Sequence, residues 1–283
     1  MKRRLQQVSM KFIVLLALGG SLAVMFLLET VEIFAPPSYS LSLANVQHIS
    51  ADAWLVFDME DGEVLTAYHE HELLPLASLT KLATAEAVYH SDDLFSTTTI
   101  TWQDVAAEGR AGSLITGEVY TKHTLLFPLL LESSNDAAAA LARSDADLLT
   151  RMNTRASSTN TRLRFVDTAG LGVENVGSAM DVRTLLREVY GNSRHVFDIT
   201  GLTQYLSPTK GWLNNSPWRL DPDYRGGKQG YLPASGYTAA VVFDESLRGG
   251  ATRRLGYVLL GSQNLSYDMS LLRDYVRQHV RFE

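Results

Sequence analysis

The chain has no cysteine among its 283 residues. That excludes a disulfide framework, thiol catalysis and cysteine-bound zinc, and it leaves the redox compartment open. Positive charge is also in short supply, with 25 Lys and Arg against 31 Asp and Glu for a formal net charge of -6. Four of the cations, Lys2, Arg3, Arg4 and Lys11, lie at the very start, so the rest is more acidic still and nucleic-acid binding through a basic face is not expected. Internal repeats and low-complexity tracts are missing. Of the seven histidines, only His69-Glu70-His71 cluster; without an obvious third ligand they read as a solvated loop, and neither metal nor cofactor is expected. What is present, 46% hydrophobic and 20% charged residues, suits one large domain or two intimate subdomains with a sizeable core.

Residues Phe12 to Leu28 carry no charge. This is the short end of a membrane span and longer than a usual signal-peptide core. Basic residues precede the run and no Lys or Arg follows until Lys81, which by the positive-inside rule keeps the N-terminus in the cytoplasm and exports the rest. The reading is a basic tail over 1–11, a single-pass signal anchor in the cytoplasmic membrane over 12–34, a Pro- and Ser-containing linker over 35–50 and an extracytoplasmic domain over 51–283. Secretion after cleavage, near Ser42-Leu43-Ala44, is the alternative.

Two β-prone runs, Trp54 to Asp58 and Glu63 to Tyr68, flank a turn at Glu60-Asp61-Gly62. A helix begins near Ser78, and residues 92–191 alternate Ala- and Leu-rich helical stretches with polar loops. The expected helices there are Tyr120 to Leu131, one capped by Ser134, Leu148 to Ala156 and Asp181 to Tyr190. Strands return at Gly236 to Phe243 and Leu255 to Leu260, and Tyr267 to Val280 closes the chain as an amphipathic helix. The pattern predicts an α+β fold: an antiparallel sheet from N- and C-terminal strands, packed with helices, with a helical subdomain inserted at about 92–191.

Chemistry concentrates at Pro75-Leu-Ala-Ser-Leu-Thr-Lys-Leu-Ala-Thr-Ala. Ser78 and Lys81, three apart, share a helical face, so a hydroxyl can meet an amine. A second S-x-x-K, Ser207 to Lys210, contains Pro208 and precedes Gly211, a loop that would not hold the pair at a helical offset. The serine is a poor nucleophile until a base takes its proton. Lys81 can be that base only as a neutral amine, which requires burial and the nearby positive Lys228 to bring its pKa down from about 10.4. Asn135 offers a donor and an acceptor to a substrate amide, and Lys228 offers positive potential to a substrate carboxylate.

In order along the chain stand Ser78-Leu79-Thr80-Lys81, Ser133-Ser134-Asn135 and Lys228-Gln229-Gly230, the three-motif set of serine β-lactamases and penicillin-binding proteins. With their flanks, and with Met152-Asn153, Ala156, Asp167, Gly170-Leu171, Ser178 and Asp181 between them, they resemble the D-alanyl-D-alanine carboxypeptidases of the low-molecular-mass penicillin-binding class across residues 51 to 265. The resemblance implies the DD-peptidase/β-lactamase-like fold and a serine carboxypeptidase trimming peptidoglycan stem peptides through an acyl-enzyme on Ser78, with β-lactams as possible ligands. It also implies that Ser133 relays a proton to the leaving nitrogen, and that the backbone N–H of Tyr231, after Gly230, joins that of Ser78 in an oxyanion hole. Gln229 departs from the family's Thr or Ser, whose hydroxyl helps bind the substrate carboxylate. Three rivals remain open: a DD-endopeptidase, a β-lactamase, and a catalytically weak domain that binds cell-wall peptide or a partner protein. Glu174-Asn175 does not match the E-x-x-L-N loop of the β-lactamases.

Overall fold

The structure, a computed structural model, describes residues 49–106, 108, 109, 111–207 and 209–282, together with strand residues 7–9, 12–18, 21–27, 30–32 and 39–41. The chain divides into two units, residues 1–40 with 282–283, and residues 41–281.

In the first unit Phe12–Leu18 pairs antiparallel with Ser21–Leu27, and Gln7–Ser9 with Thr30–Glu32. The expected membrane helix over 12–34 lies partly outside the described residues, and where it is described it is strand. Two apolar runs containing Ile13, Val14, Val24 and Phe26 flank Gly19-Gly20, and such runs about a Gly-Gly dipeptide form a hairpin as readily as a helix. Among the described residues no helix is long and apolar enough to cross a membrane.

The second unit is built on a five-stranded antiparallel sheet. Its strands are β1 (Ala53–Asp58), β2 (Val64–Tyr68), β3 (Tyr224–Leu232), β4 (Gly236–Ser246) and β5 (Thr252–Ser262), in the order β3-β4-β5-β1-β2. N- and C-terminal strands meet where β5 pairs with β1, Leu255 opposite Asp58. Alternation sorts the side chains to two faces. Leu55, Phe57, Ala240, Val242, Val258 and Leu260 join the main core with the helices of the middle of the chain. Between them Val56, Val241, Tyr257 and Leu259 take the other face, where the C-terminal helix lays down buried Met269, Leu272 and Val276.

The principal helices are α1 (Thr80–Tyr89), α2 (Lys122–Leu131), α3 (Asn135–Arg143), α4 (Leu148–Ser158), α5 (Ala179–Asn192), α6 (Arg194–Gly201) and α7 (Leu265–His279). Caps fix several starts: Ser134 Oγ accepts from Ala137 N, and Ser178 with Asp181 forms a capping box, each worth about 1 kcal/mol. Helix α1 lies at the centre. Every residue from Thr80 to Val88 is buried, Lys81 and Glu86 included, because the helix packs against α3, α4, α5, α6 and α2. Burying Leu82 and Val88 contributes about 2 kcal/mol each. The same burial takes Lys81 out of water.

Candidate active site

Ser78 sits in a 3₁₀ turn, Ala77–Leu79, that feeds directly into α1. Three contacts pin this turn. Leu76 N donates to Asn175 O at 2.8 Å, Thr238 Oγ1 of β4 donates to Leu76 O at 3.0 Å, and Gly230 of β3 comes so close that a Cβ there would lie 2.5 Å from Ser78 N. Ala77 holds a left-handed φ of 49° and Ser133 one of 59°, a conformation that costs a non-glycine residue on the order of 1 kcal/mol or more and persists only where surroundings impose it.

Lys81 is fully buried, and its Nζ touches three oxygens: Ser78 Oγ at 3.0 Å, Asn135 Oδ1 at 2.8 Å and the Ala169 carbonyl at 2.6 Å. Burial lowers its pKa to about 7, against an opposing pull from Asp167. A neutral amine has two hydrogens and one lone pair. Because Oδ1 and the carbonyl can only accept, the two hydrogens go to them and the lone pair faces the Ser78 hydroxyl. Once Lys81 is protonated, all three hydrogens have acceptors. Of the two causes expected from the sequence, burial and the positive Lys228, burial is the one that lowers the Lys81 pKa. Lys228 is itself buried, is pushed well below the ordinary lysine range by burial and then by Lys81, and donates to Gln229 O at 2.8 Å.

The Ala169 carbonyl owes its place to Asp167, which the motif reading names as a landmark without a role. The Asp167 carboxylate accepts from the backbone N–H groups of Ala169, Gly170 and Gly172 at 2.8, 2.6 and 2.7 Å, and from Asn175 Nδ2 at 2.7 Å. Burial pushes this carboxyl up, but the hydrogen bonds from Gly172, Asn175, Gly170 and Ala169 prevail and hold it below its usual value. Gly170, with φ of 82°, rests so close to Ala77 O that a Cβ would lie 1.9 Å from it. The Asp-x-x-Gly spacing in Asp167-Thr-Ala-Gly was the available signal, since such a stretch forms an acid-centred turn.

Ser133 follows α2 in the turn before α3, and lines with Ser78, Gln229, Gly230 and Tyr231 a cleft of about 630 Å³. Asn135 opens α3 beside Lys81. Its Nδ2 donates to the carbonyls of Glu108 and Gly109 at 2.6 and 3.3 Å, so both ends of its carboxamide are engaged within the protein and it serves to position Lys81. Lys228, Gln229, Gly230 and Tyr231 are consecutive residues of β3, and Tyr231 faces Tyr237 of β4 across the hairpin with ring centroids 4.6 Å apart. Sequence reasoning missed Asn215, Tyr237 and Gln263, which also line the cleft. The second S-x-x-K is a turn: Lys210 N donates to Ser207 Oγ at 3.0 Å, while Lys210 Nζ reaches Glu118 at 2.7 Å. In the histidine stretch, His69 pairs with Glu72 at 3.3 Å.

Residues 41–243 match the family model described as Peptidase S11, D-alanyl-D-alanine carboxypeptidase. The chain belongs to that family. Among its relatives, a D-alanyl-D-alanine endopeptidase of Pseudomonas aeruginosa is 30% identical over 59% of this chain and 56% of its own length. D-alanyl-D-alanine carboxypeptidase DacB2 of Mycobacterium tuberculosis is also 30% identical, over 50% of this chain and 51% of its own. The chain thus spans about half the length of these curated relatives. A solved D-alanyl-D-alanine carboxypeptidase from Mycobacterium tuberculosis H37Rv superposes with a TM-score of 0.73 at 26% identity, covering 82% of this chain and 92% of that one. The antiparallel sheet with its helices is therefore the DD-peptidase fold that the motifs implied.

Proposed function

We propose that the protein is a serine peptidase that hydrolyses the bond after a D-alanyl residue in peptidoglycan stem peptides. The observation that carries this reading is the buried Lys81 amine, 3.0 Å from Ser78 Oγ, with a pKa of about 7. Ser78 Oγ attacks the carbonyl carbon and its proton passes to Lys81 Nζ. The backbone N–H groups of Ser78 and Tyr231 take the developing oxyanion, an interaction worth about 3 kcal/mol per donor in related chemistry. The C–N bond then breaks, with Ser133 passing a proton to the leaving nitrogen. Water attacks the acyl-enzyme, gives a proton back through Lys81 to Ser78 Oγ, and leaves the shortened peptide as its acid. No metal or cofactor enters the sequence.

Family membership and relatives with both carboxypeptidase and endopeptidase names support hydrolysis of this bond type. β-Lactams are proposed as slow acylating ligands, since their acid group would meet Gln229. The basic residues ahead of the charge-free run support action on the outer face of the cytoplasmic membrane, held there by residues 12–34. The test is release of the leaving amine from an acyl-D-alanyl peptide by the purified full-length protein, with none from Ser78→Ala. Release that persists in Ser78→Ala overturns the assignment.

A further inference from the structure

Gln229 stands where the family carries a hydroxyl that helps hold a carboxylate on the leaving side of the scissile bond. Its Nε2 donates to the Asn215 carbonyl at 2.9 Å. A carbonyl can only accept, so the atom facing Asn215 must be the nitrogen and the orientation of the carboxamide is determined. The other atom, Oε1, is buried and has no hydrogen-bond partner among the described residues. A buried acceptor without a donor is costly, and in native structures such groups need an explanation. Here the residue lines the cleft that also exposes Ser78.

The neighbours favour the same kind of ligand. Asn215 and Gln263 line this cleft beside Gln229, and carboxamides pair with amides. Lys228 is buried on the strand face that Gly230 turns toward Ser78, and its Nζ is committed to Gln229 O at 2.8 Å. A substrate carboxylate, which only accepts, would be set against the acceptor Oε1. A substrate carboxamide would supply the missing N–H.

We infer that Gln229 selects substrates whose leaving residue presents an amide N–H donor, such as a carboxamide, where a carboxypeptidase substrate presents a free carboxylate. The inference rests on the acyl-enzyme reading above and concerns only the leaving side. The reaction remains a hydrolysis: the acyl C–N bond breaks, water supplies the hydroxyl and the proton, and the amidated residue departs as a free amine.

The experiment compares two peptides with the full-length protein, N-acetylated L-lysyl-D-alanyl-D-alanine with a free C-terminus and the same peptide as its C-terminal amide. Acylation of Ser78 by an N-acyl-D-alanyl thioester without a carboxylate on the leaving thiol reports the catalytic groups separately. The expected result is a kcat/KM about a hundredfold higher for the amide, as sites built around one hydrogen bond discriminate by such factors or more, with the preference reversed in Gln229→Thr. If the thioester shows that Gln229→Thr has not folded, Gln229→Glu decides instead: it keeps an acceptor and should retain the amide while losing the acid peptide further. A wild-type preference for the acid overturns the inference, as does a gain on the acid peptide in Gln229→Glu. Cleavage of neither peptide while the thioester acylates Ser78 also overturns it and leaves the acyl-enzyme reading standing. No acylation by any of the three overturns both.

Discussion

The pH dependence of Ser78 acylation follows directly from the burial of Lys81. A lysine of ordinary pKa 10.5 is neutral in only about 3 parts in 10,000 at pH 7. With its pKa at about 7, half of the Lys81 amines are neutral there, roughly a thousandfold more free base, or on the order of 4 kcal/mol of barrier. The acylation rate with a carboxylate-free acyl thioester should therefore rise with pH and level off above about pH 8. From pH 7 it should fall about fivefold at pH 6 and about fiftyfold at pH 5, if neutral Lys81 is the base. Stopped-flow release of the thiol measures this across the range. A rate that keeps climbing tenfold per pH unit from 7 to 9 would mean a lysine with an ordinary pKa. A rate unchanged down to pH 5 would mean that Lys81 is not the base, and either result refutes the reasoning.

Lys81→Met should slow acylation at least about a hundredfold and remove the rise of stability with pH that Lys81 imposes above pH 7. The unfolded chain binds the Lys81 proton more tightly than the folded one between about pH 7 and 10.5, so folding opposes protonation at a cost of up to about 4 kcal/mol at pH 7, which falls away as pH rises; denaturant unfolding in which wild type gains nothing relative to Lys81→Met between pH 7 and 9 contradicts this. Gly230→Ala places a Cβ 2.5 Å from Ser78 N, so acylation should fall about a hundredfold or more through the oxyanion hole, for a stability loss of only about 1–3 kcal/mol. An unchanged rate would show that β3 does not set the geometry at Ser78. Asp167→Asn replaces the acceptor at the centre of the 167–175 turn with a group that also donates. Denaturant unfolding should show a loss of about 3 kcal/mol, and the acylation midpoint should move below 7, because Asp167 now holds the Lys81 pKa up.

Sequence order carried what is local or periodic. Ser78 and Lys81 are three residues apart on the turn and helix that Pro75 and the Ala- and Leu-rich run announce, so their meeting needed no tertiary knowledge. The continuous apolar runs Ala239 to Phe243 and Tyr257 to Leu260 likewise marked two central strands buried on both faces, although β3, rich in glycine as Gly226, Gly227 and Gly230, showed no such run and its extent was not legible. The Ala169 carbonyl, 88 residues from Lys81, left no trace in composition because any residue has a carbonyl; only the Asp167 turn that aims it has a signature. The tie between Gln229 and Asn215 joins a strand to a loop 14 residues earlier, and no local rule links them. The depressed pKa of Lys81 and its cause in burial were both expected, but the added push from Lys228 was not needed: a helix buried on every side removes the solvent by itself. The charge-free segment 12–28 shows the limit of length and hydropathy as signals, since both a helix and a hairpin accommodate it.

The central claim is that Ser78 is the nucleophile and Lys81 its base, and acid-quenched mass spectrometry of the full-length protein mixed with an N-acyl-D-alanyl thioester tests it most directly. The account predicts one acyl group per chain, mapped to the peptide containing Ser78, lost in Ser78→Ala and formed at least about a hundredfold more slowly in Lys81→Met. An adduct on another residue, or one that forms equally fast in either variant, would contradict it.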